Sequence, residues 1–482
     1  MILSVSIMAM SKNSVHFTGN APEYSGLHIE FNKISNYFFN EASTVAVMQI
    51  ADDGSFDFSF EIDEITYIFA ELGRFKTYIY VEPGVTYNLI FPPFEQKTES
   101  QKLSPHFHPE EIPFGIKNKE AQDLNKNIVL FNEEFEYQYN KNARNTFIVS
   151  NNEIVKEIET SLENQFTFSH PYFVKHKQIS YLKLQQLSQR MKERYLLGKL
   201  SEFDIEYEMP VYWEVFKGFI TGFLPQKFSP SKKEEKLESE VSLSHAINTN
   251  MRFDTISAIL MSDNIFKNNK FAEISLLYTL FESFYNNSIG KTVCVEIIQS
   301  AINYASTEKN KKIAADLFKK ITMLRPGSPA PDFALYNKKE KLRELKDYSG
   351  KFLYLSFIHT KNHACLLDLQ TIETLEKIFK KDLECVTVII DDDVDIMLDF
   401  LKKNPQYKWD FLHFGLNGKI LEDYNIKIVP TYYLIDPKGI LNLSPAPAPR
   451  ENFQNIFVDR LQQYKREDIR KNPPKEKSVF DW

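Results

Sequence analysis

The stretch RPGSPAPDF, residues 325–333, does most to limit how this chain can fold. Three prolines and a glycine in nine residues cannot continue a helix, because proline lacks the N–H a helix needs and its ring clashes with the preceding turn. The segment marks a boundary, and the hydrophobic pattern differs on its two sides. After it, KFLYLSF, ACLLDLQTIETLEKIFKK, ECVTVII, VDIMLDFLKKN, TYYLIDPKG and ILNLS read as strand, helix, strand, helix, strand, strand. Such alternation implies a mixed or parallel sheet covered on both faces.

Before the boundary, from about 120 to 324, apolar residues recur at three- and four-residue spacing, as in EIVKEIETSLENQF and KKIAADLFKKITML. This predicts a helical domain whose aromatic stripes form its core. Pro210 and Pro225 interrupt it, and the charged run SPSKKEEKLESE at 229–240 reads as a solvated loop. Residues 14–95 alternate apolar and polar instead. VAVMQIADDGSFDFSFEI does so around a turn at Asp52, Asp53 and Gly54, and FKTYIYVEPGVTYNLIF around Glu82, Pro83 and Gly84. The pattern predicts an antiparallel β-sandwich over 12–100, a polar connector over 95–119 and the helical domain over 120–324. The polar stretch 466–482 is expected to be a charged tail.

A chain of 482 residues has room for about three domains at roughly 100–200 residues each. Its 40 Phe and 24 Tyr can fill large cores. A net charge of −7 with both signs interspersed argues against a nucleic-acid binder, which would carry a basic face. No apolar run approaches the ~20 residues of a membrane helix, so no integral membrane segment is expected. The start, MILSVSIMAMSKN, has a short apolar run followed by the small residues Ala9 and Ser11 but no basic lead. Residues 1–11 are expected to be the remnant of a secretory signal; a first strand or a disordered terminus is the alternative. The cysteines Cys294, Cys365 and Cys385 are odd in number and far apart, so no disulfide framework can be read.

The chemistry-bearing stretch is FIHTKNHACLLDLQTIETL, residues 357–375, a strand entering a loop that opens an amphipathic helix. Asn362 is among the best helix N-cap residues; a polar contact to a bound ligand is its alternative role. Cys365, in the first helical turn, reads either as a small apolar filler or as a lone reactive thiol. His359, His363 and Cys365 are metal-ligand types, and imidazole and thiolate suit copper or zinc. A ring ending a strand and a ring opening a helix need not converge, however, and no metal is expected. Asp391, Asp392 and Asp393, with Asp395, read as a strand-to-helix loop with an N-cap. Cys385 among apolar strand residues, and Cys294 on a helix face, read as buried and inert.

GSPAPDFAL, KFLYLSF, the helix after His363 and IVPTYYLIDPKG stand in an order that resembles the thioredoxin-like fold over residues 326–465. The resemblance is to cell-envelope thiol–disulfide oxidoreductases of the TlpA/ResA type. The regions ahead of it are similar in order and texture to the N-terminal extensions of such proteins in Bacteroidetes. The fold class expected is thus multidomain α+β, with an N-terminal antiparallel β-sandwich, a central α-helical domain and a C-terminal thioredoxin-like α/β domain. In that family a thiolate at a helix N-terminus attacks a disulfide and a second thiol one turn later resolves it. The resemblance puts Asn362 at the attacking position and Cys365 at the resolving one. Lys361 stands where an aromatic is usual, and Ser356 where thioredoxin has a buried acid. Peroxiredoxins carry their reactive cysteine near the place of Asn362, so the same substitution counts against peroxidase chemistry. Thioredoxin-like copper chaperones use two cysteines and a distant histidine, a pattern not met. Pro430, in VPT, is cis in that fold and faces the loop, and Val429 offers backbone groups to an extended substrate.

The resemblance implies a periplasmic or cell-envelope protein without dithiol exchange and without a cofactor. It would bind a protein or peptide partner at the Pro430 face, using Asn362, His363, Val429, Pro430 and Thr431. A monothiol disulfide oxidoreductase working through Cys365 is the alternative.

Overall fold

A computed structural model describes residues 13–98, 101, 107–149, 152–187, 193–221, 243, 245–249, 252–286, 288–415 and 418–471. Residues 1–11, the charged run 229–240 and most of the terminal stretch lie outside the described residues. The chain divides into two compact units, Met1–Ile321 and Thr322–Trp482.

The first unit begins with strands β1 (Ser14–Asn20), β2 (His28–Asn36), β3 (Glu41–Gln49), β4 (Ser55–Glu61), β5 (Thr66–Leu72), β6 (Phe75–Val81), β7 (Thr86–Ile90), β8 (Glu110–Pro113) and β9 (Gly115–Ile116). They form two sheets, in the orders β4-β1-β7-β9 and β3-β2-β5-β6-β8. The sheets share one core, in which Val15, Phe17, Phe31, Ile68 and Tyr87 are buried. Period-two alternation produces this, since every second side chain of a strand faces the opposite sheet. Pairing is mainly antiparallel, but β1–β7 and β6–β8 are parallel. The stretch expected to be a connector supplies β8 and β9, which join the sheets at Phe75 and Leu89. The turn at Gly54 needs glycine: φ is +83°, and a Cβ there would lie 2.7 Å from Pro22.

Helices follow: α1 (Lys119–Val149), α2 (Asn152–Gln165), α3 (Pro171–Leu187), α4 (Glu193–Leu200), α5 (Pro210–Ile220), α6 (Phe253–Leu260), α7 (Asn269–Asn286), α8 (Lys291–Tyr304) and α9 (Glu308–Thr322). They share cores with the sheets. Tyr37 stacks on Trp213 of α5 with ring centroids 5.6 Å apart. Asn125 of α1 clasps Tyr80 of β6, its amide bonding both the backbone N–H and C=O at 2.8 Å. α7 is apolar nearly all round and lies in the middle of the helical layer. Its one buried carboxylate, Glu273, accepts hydrogen bonds from Ser306 and Asn310 at 2.7–3.0 Å, as a buried charge must.

The second unit holds β10 (Ala334–Asn337), β11 (Leu342–Glu344), β12 (Phe352–Ile358), α10 (His363–Ile378), β13 (Leu383–Ile389), α11 (Val394–Lys403), β14 (Asp410–His413), α12 (Lys419–Asp423), β15 (Thr431–Ile435), β16 (Leu441–Leu443) and α13 (Gln454–Lys471). The sheet order is β11-β10-β14-β13-β12-β15-β16, with β12, β13 and β14 parallel and β15 antiparallel to β12. β12 (FLYLSFI) is buried at all seven positions, the signature of a central strand covered on both faces. Phe352, Tyr354 and Ile358 enter one core with α10 and α13, and Leu353, Leu355 and Phe357 enter the other with α12. The stretch read as a tail from residue 466 begins inside α13, which runs to Lys471.

Candidate functional site

β12 delivers the chain to a short loop, and α10 opens at His363. The sequence turns there because Asn362 supplies the cap. With φ −88° and ψ 116° it is extended, and its Oδ1 accepts the N–H groups of Ala364 (3.0 Å) and Cys365 (3.3 Å). Both would otherwise be orphaned at the helix start. Its Nδ2 donates to the carbonyl of Val429 at 3.2 Å. One amide thus fixes the helix start to the loop before β15, where the Val429–Pro430 peptide bond is cis. Val429, Pro430 and Thr431 are half-buried, and the neighbouring Ile428 is 59% exposed.

Cys365 is 0% exposed and faces the α10 core. Burial pushes its thiol up to about 11; a backbone hydrogen bond at His359 opposes this, and the nearby Asp368 charge adds to it. A helix N-terminus lowers a thiol's pKa when solvent reaches it; here desolvation outweighs the dipole. Cys385 lines the same core from β13, and burial raises its thiol too. Cys294 lies in the other unit, its thiol pushed up by burial to about 12. All three are free thiols.

The two histidines of the loop part company. His363 is exposed, whereas His359 turns inward. Its Nδ1 sits between the Lys361 N–H and Asp391 Oδ1, 3.2 Å from each. Asp391, 1% exposed, also accepts the Thr360 N–H at 2.9 Å and the Thr360 hydroxyl at 2.6 Å. Its backbone carbonyl takes a hydrogen bond from His413 Nε2 at 2.8 Å. His413 Nδ1 accepts the Gly415 N–H at 3.0 Å, which places the ring proton on Nε2. The acidic run therefore splits in role: Asp393 caps α11 through the Asp395 N–H, and Asp391 anchors the loop.

Residues 326–444 match the AhpC/TSA family. The C-terminal domain is thioredoxin-like. Thiol-disulfide oxidoreductase ResA of Geobacillus kaustophilus is 28% identical over 151 residues, 31% of this chain and 81% of that protein. ResA of Bacillus subtilis is 30% identical over 115 residues, 23% of this chain and 63% of that protein. Among solved structures, a thiol:disulfide interchange protein from Bacteroides sp. is 22% identical and covers 29% of this chain and 93% of its own, with a TM-score of 0.27. The thioredoxin domain of a thiol-disulfide oxidoreductase from Bacteroides vulgatus is 20% identical, covers 28% and 97%, and has a TM-score of 0.26.

Within the thioredoxin-like domain, two polar networks escaped sequence reasoning. Asp368 is 1% exposed, accepts the Tyr432 hydroxyl at 2.7 Å and pairs with Arg450 Nε at 2.6 Å. A signal was there: Asp368 stands three residues after Cys365 on the stripe of Leu369, Ile372 and Leu375, where a carboxylate demands a buried partner. Ser356, also buried, shares its hydroxyl with Thr387 Oγ1 at 2.8 Å, and the Trp409 indole N–H donates to that same oxygen at 2.9 Å.

Proposed function

We propose that the thioredoxin-like domain has lost dithiol exchange and serves as a binding module for an extended protein or peptide segment at the Pro430 face, in a protein of the cell envelope. One observation carries the reading: Asn362, which the resemblance puts at the position of the attacking thiol, has its amide in three hydrogen bonds, while Cys365 behind it is sealed in the core. The relatives named thiol-disulfide oxidoreductases act on thiols; this domain keeps their fold around a loop whose polar groups are committed to one another. An extended segment docking beside Val429 meets Ile428 and Pro430 as apolar contacts. The Val429 carbonyl, with one lone pair given to Asn362, retains a second. Among the described residues no helix is long and apolar enough to cross a membrane.

Peptide-resolved alkylation of the native protein across pH tests the loss of thiol chemistry. Cys365 is expected to stay as protected as Cys294 and Cys385 until the protein unfolds; fast reaction of Cys365 alone at neutral pH would instead establish the monothiol alternative. Binding is tested by selecting extended peptides on the full chain and repeating the measurement with Ile428→Glu. Undiminished binding by that variant removes the Pro430 face from the proposal. Cell fractionation tests the location.

A further inference from the structure

The first unit contains a cavity of about 350 Å³ between the β5–β6–β8 sheet and helices α1, α3 and α5, within the size range of small-molecule sites, roughly 300–1,000 Å³. Its sheet wall is built by Tyr67, Tyr78 and Tyr80. Register puts them together: Tyr67 lies opposite Tyr80 in the β5–β6 ladder, and Tyr78 is two residues along on the same face. Among the described residues none of the three hydroxyls has a hydrogen-bond partner. For Tyr80 this matters most, because it is 5% exposed yet its hydroxyl is not enclosed by protein and opens to the cavity. A hydroxyl that opens to a cavity is bonded by water until a ligand takes the water's place.

The helical wall differs. His176 of α3 bonds Asn132 Oδ1 through Nε2 at 2.8 Å, and its Nδ1, without a partner among the described residues, is enclosed by protein and does not reach the cavity. The charged groups, by contrast, are already matched: Lys183 lies 2.9 Å from Glu136 and 2.8 Å from Glu214, and Glu111 pairs with Lys76 at 2.8 Å. Three carboxylates against two ammonium groups leave one negative charge in excess, but each charged group already has a partner, so the unclaimed groups the cavity presents are the neutral tyrosine hydroxyls. Its hydroxyls can both donate and accept, and they stand beside aromatic ring surface that suits C–H groups.

We propose that this cavity binds a small uncharged polyhydroxylated ligand, a sugar of one or two rings or the end of a longer glycan. The ring C–H groups pack on the tyrosines while its hydroxyls pair with those of Tyr78 and Tyr80. This goes beyond the reading of the thioredoxin-like domain and does not depend on it.

The test is saturation-transfer NMR and calorimetry on the full chain, with neutral hexoses, N-acetylhexosamines, their disaccharides and a matching hexasaccharide. Choline and inorganic phosphate serve as charged probes. Binding of at least one neutral sugar is expected, unchanged between low and high salt and weakened at least tenfold in Tyr78→Phe and Tyr80→Phe. Equal affinity for short and long sugars identifies a free sugar; tighter binding of the hexasaccharide identifies a glycan end, and either supports the proposal. No neutral sugar bound at millimolar concentration, binding of only the charged probes, or binding unaffected by both Phe variants would overturn it. Should Tyr80→Phe fail to fold, Tyr78→Phe, at a half-buried site, decides: sugar binding that it leaves unchanged overturns the proposal, and a tenfold loss supports it.

Discussion

The loop before α10 and the tyrosine wall of the first unit treat polar groups in opposite ways. In the loop almost every one is used. Asn362 makes three hydrogen bonds, and the Asp391 carboxylate holds both the N–H and the hydroxyl of Thr360. On the wall the hydroxyls of Tyr67, Tyr78 and Tyr80 have no partner among the described residues. Paired polar groups fix a conformation and leave little to offer a ligand, whereas hydroxyls that face a cavity without a protein partner exchange water for a ligand's groups. We therefore propose that the loop that looks like an active site serves as architecture, and that the open chemistry lies in a region with no recognisable motif.

Substitutions can break this contrast. Asp391→Ala removes the anchor and leaves two Thr360 donors and His359 without it; a loss of about 3 kcal/mol is expected from urea unfolding of the full chain. A loss under about 1 kcal/mol would mean that water replaces the carboxylate and that the loop is not tightly held.

Next in size is Cys365. With its thiol pushed up to about 11, its thiolate fraction at neutral pH is roughly a hundredfold or more below that of a free cysteine near 8.5. The sign for stability follows. The unfolded chain releases this proton first, so stability is intact below about pH 8.5 and falls as pH rises toward 11. Cys365→Ala should flatten part of that alkaline decline in urea midpoints measured from pH 8 to 10.5.

Asn362→Ala should cost about 1 kcal/mol, the usual worth of an N-cap. Asn362→Asp keeps the cap and loses only the bond to Val429, so it should cost less. If the two variants are equal, the bond to Val429 rather than the cap holds the loop. Smallest of all is Tyr80→Phe. Removing an unpaired hydroxyl should leave the unliganded protein unchanged or raise its stability by up to about 1 kcal/mol. A clear loss in thermal unfolding would erase the difference between the two regions.

What the sequence revealed tracks how local each cause is. The prolines of 325–333 follow the end of α9 at Thr322, and that stop is legible because helix breaking is a property of the residues themselves. Asn362 as a cap is legible for the same reason: its bonds reach two and three residues ahead. The strand and helix pattern of the C-terminal domain is carried by its apolar periodicity. The roles of Asp368 and Asp391 are not local. Their partners Tyr432, Arg450 and Thr360 lie 64, 82 and 31 residues away, and nothing in an acidic residue's neighbours says which partner the fold will bring. The tyrosine wall was hidden differently: FKTYIYV alternates as any half-buried strand does, and only the helices packed above it decide whether its rings meet protein or space.

The clasp of Asn125 on Tyr80 has a consequence for how this protein behaves in a crowded solution. β8 pairs with β6 only as far as Tyr78, so beyond it the backbone of β6 would present a bare donor and acceptor. Such an edge invites a strand from another molecule, the first step of aggregation. The carboxamide, one oxygen and one NH2, imitates a passing strand for the length of a single residue and ends the sheet there. It is a stopper: it closes the ladder at one residue and leaves a passing strand no bare donor or acceptor there to pair with.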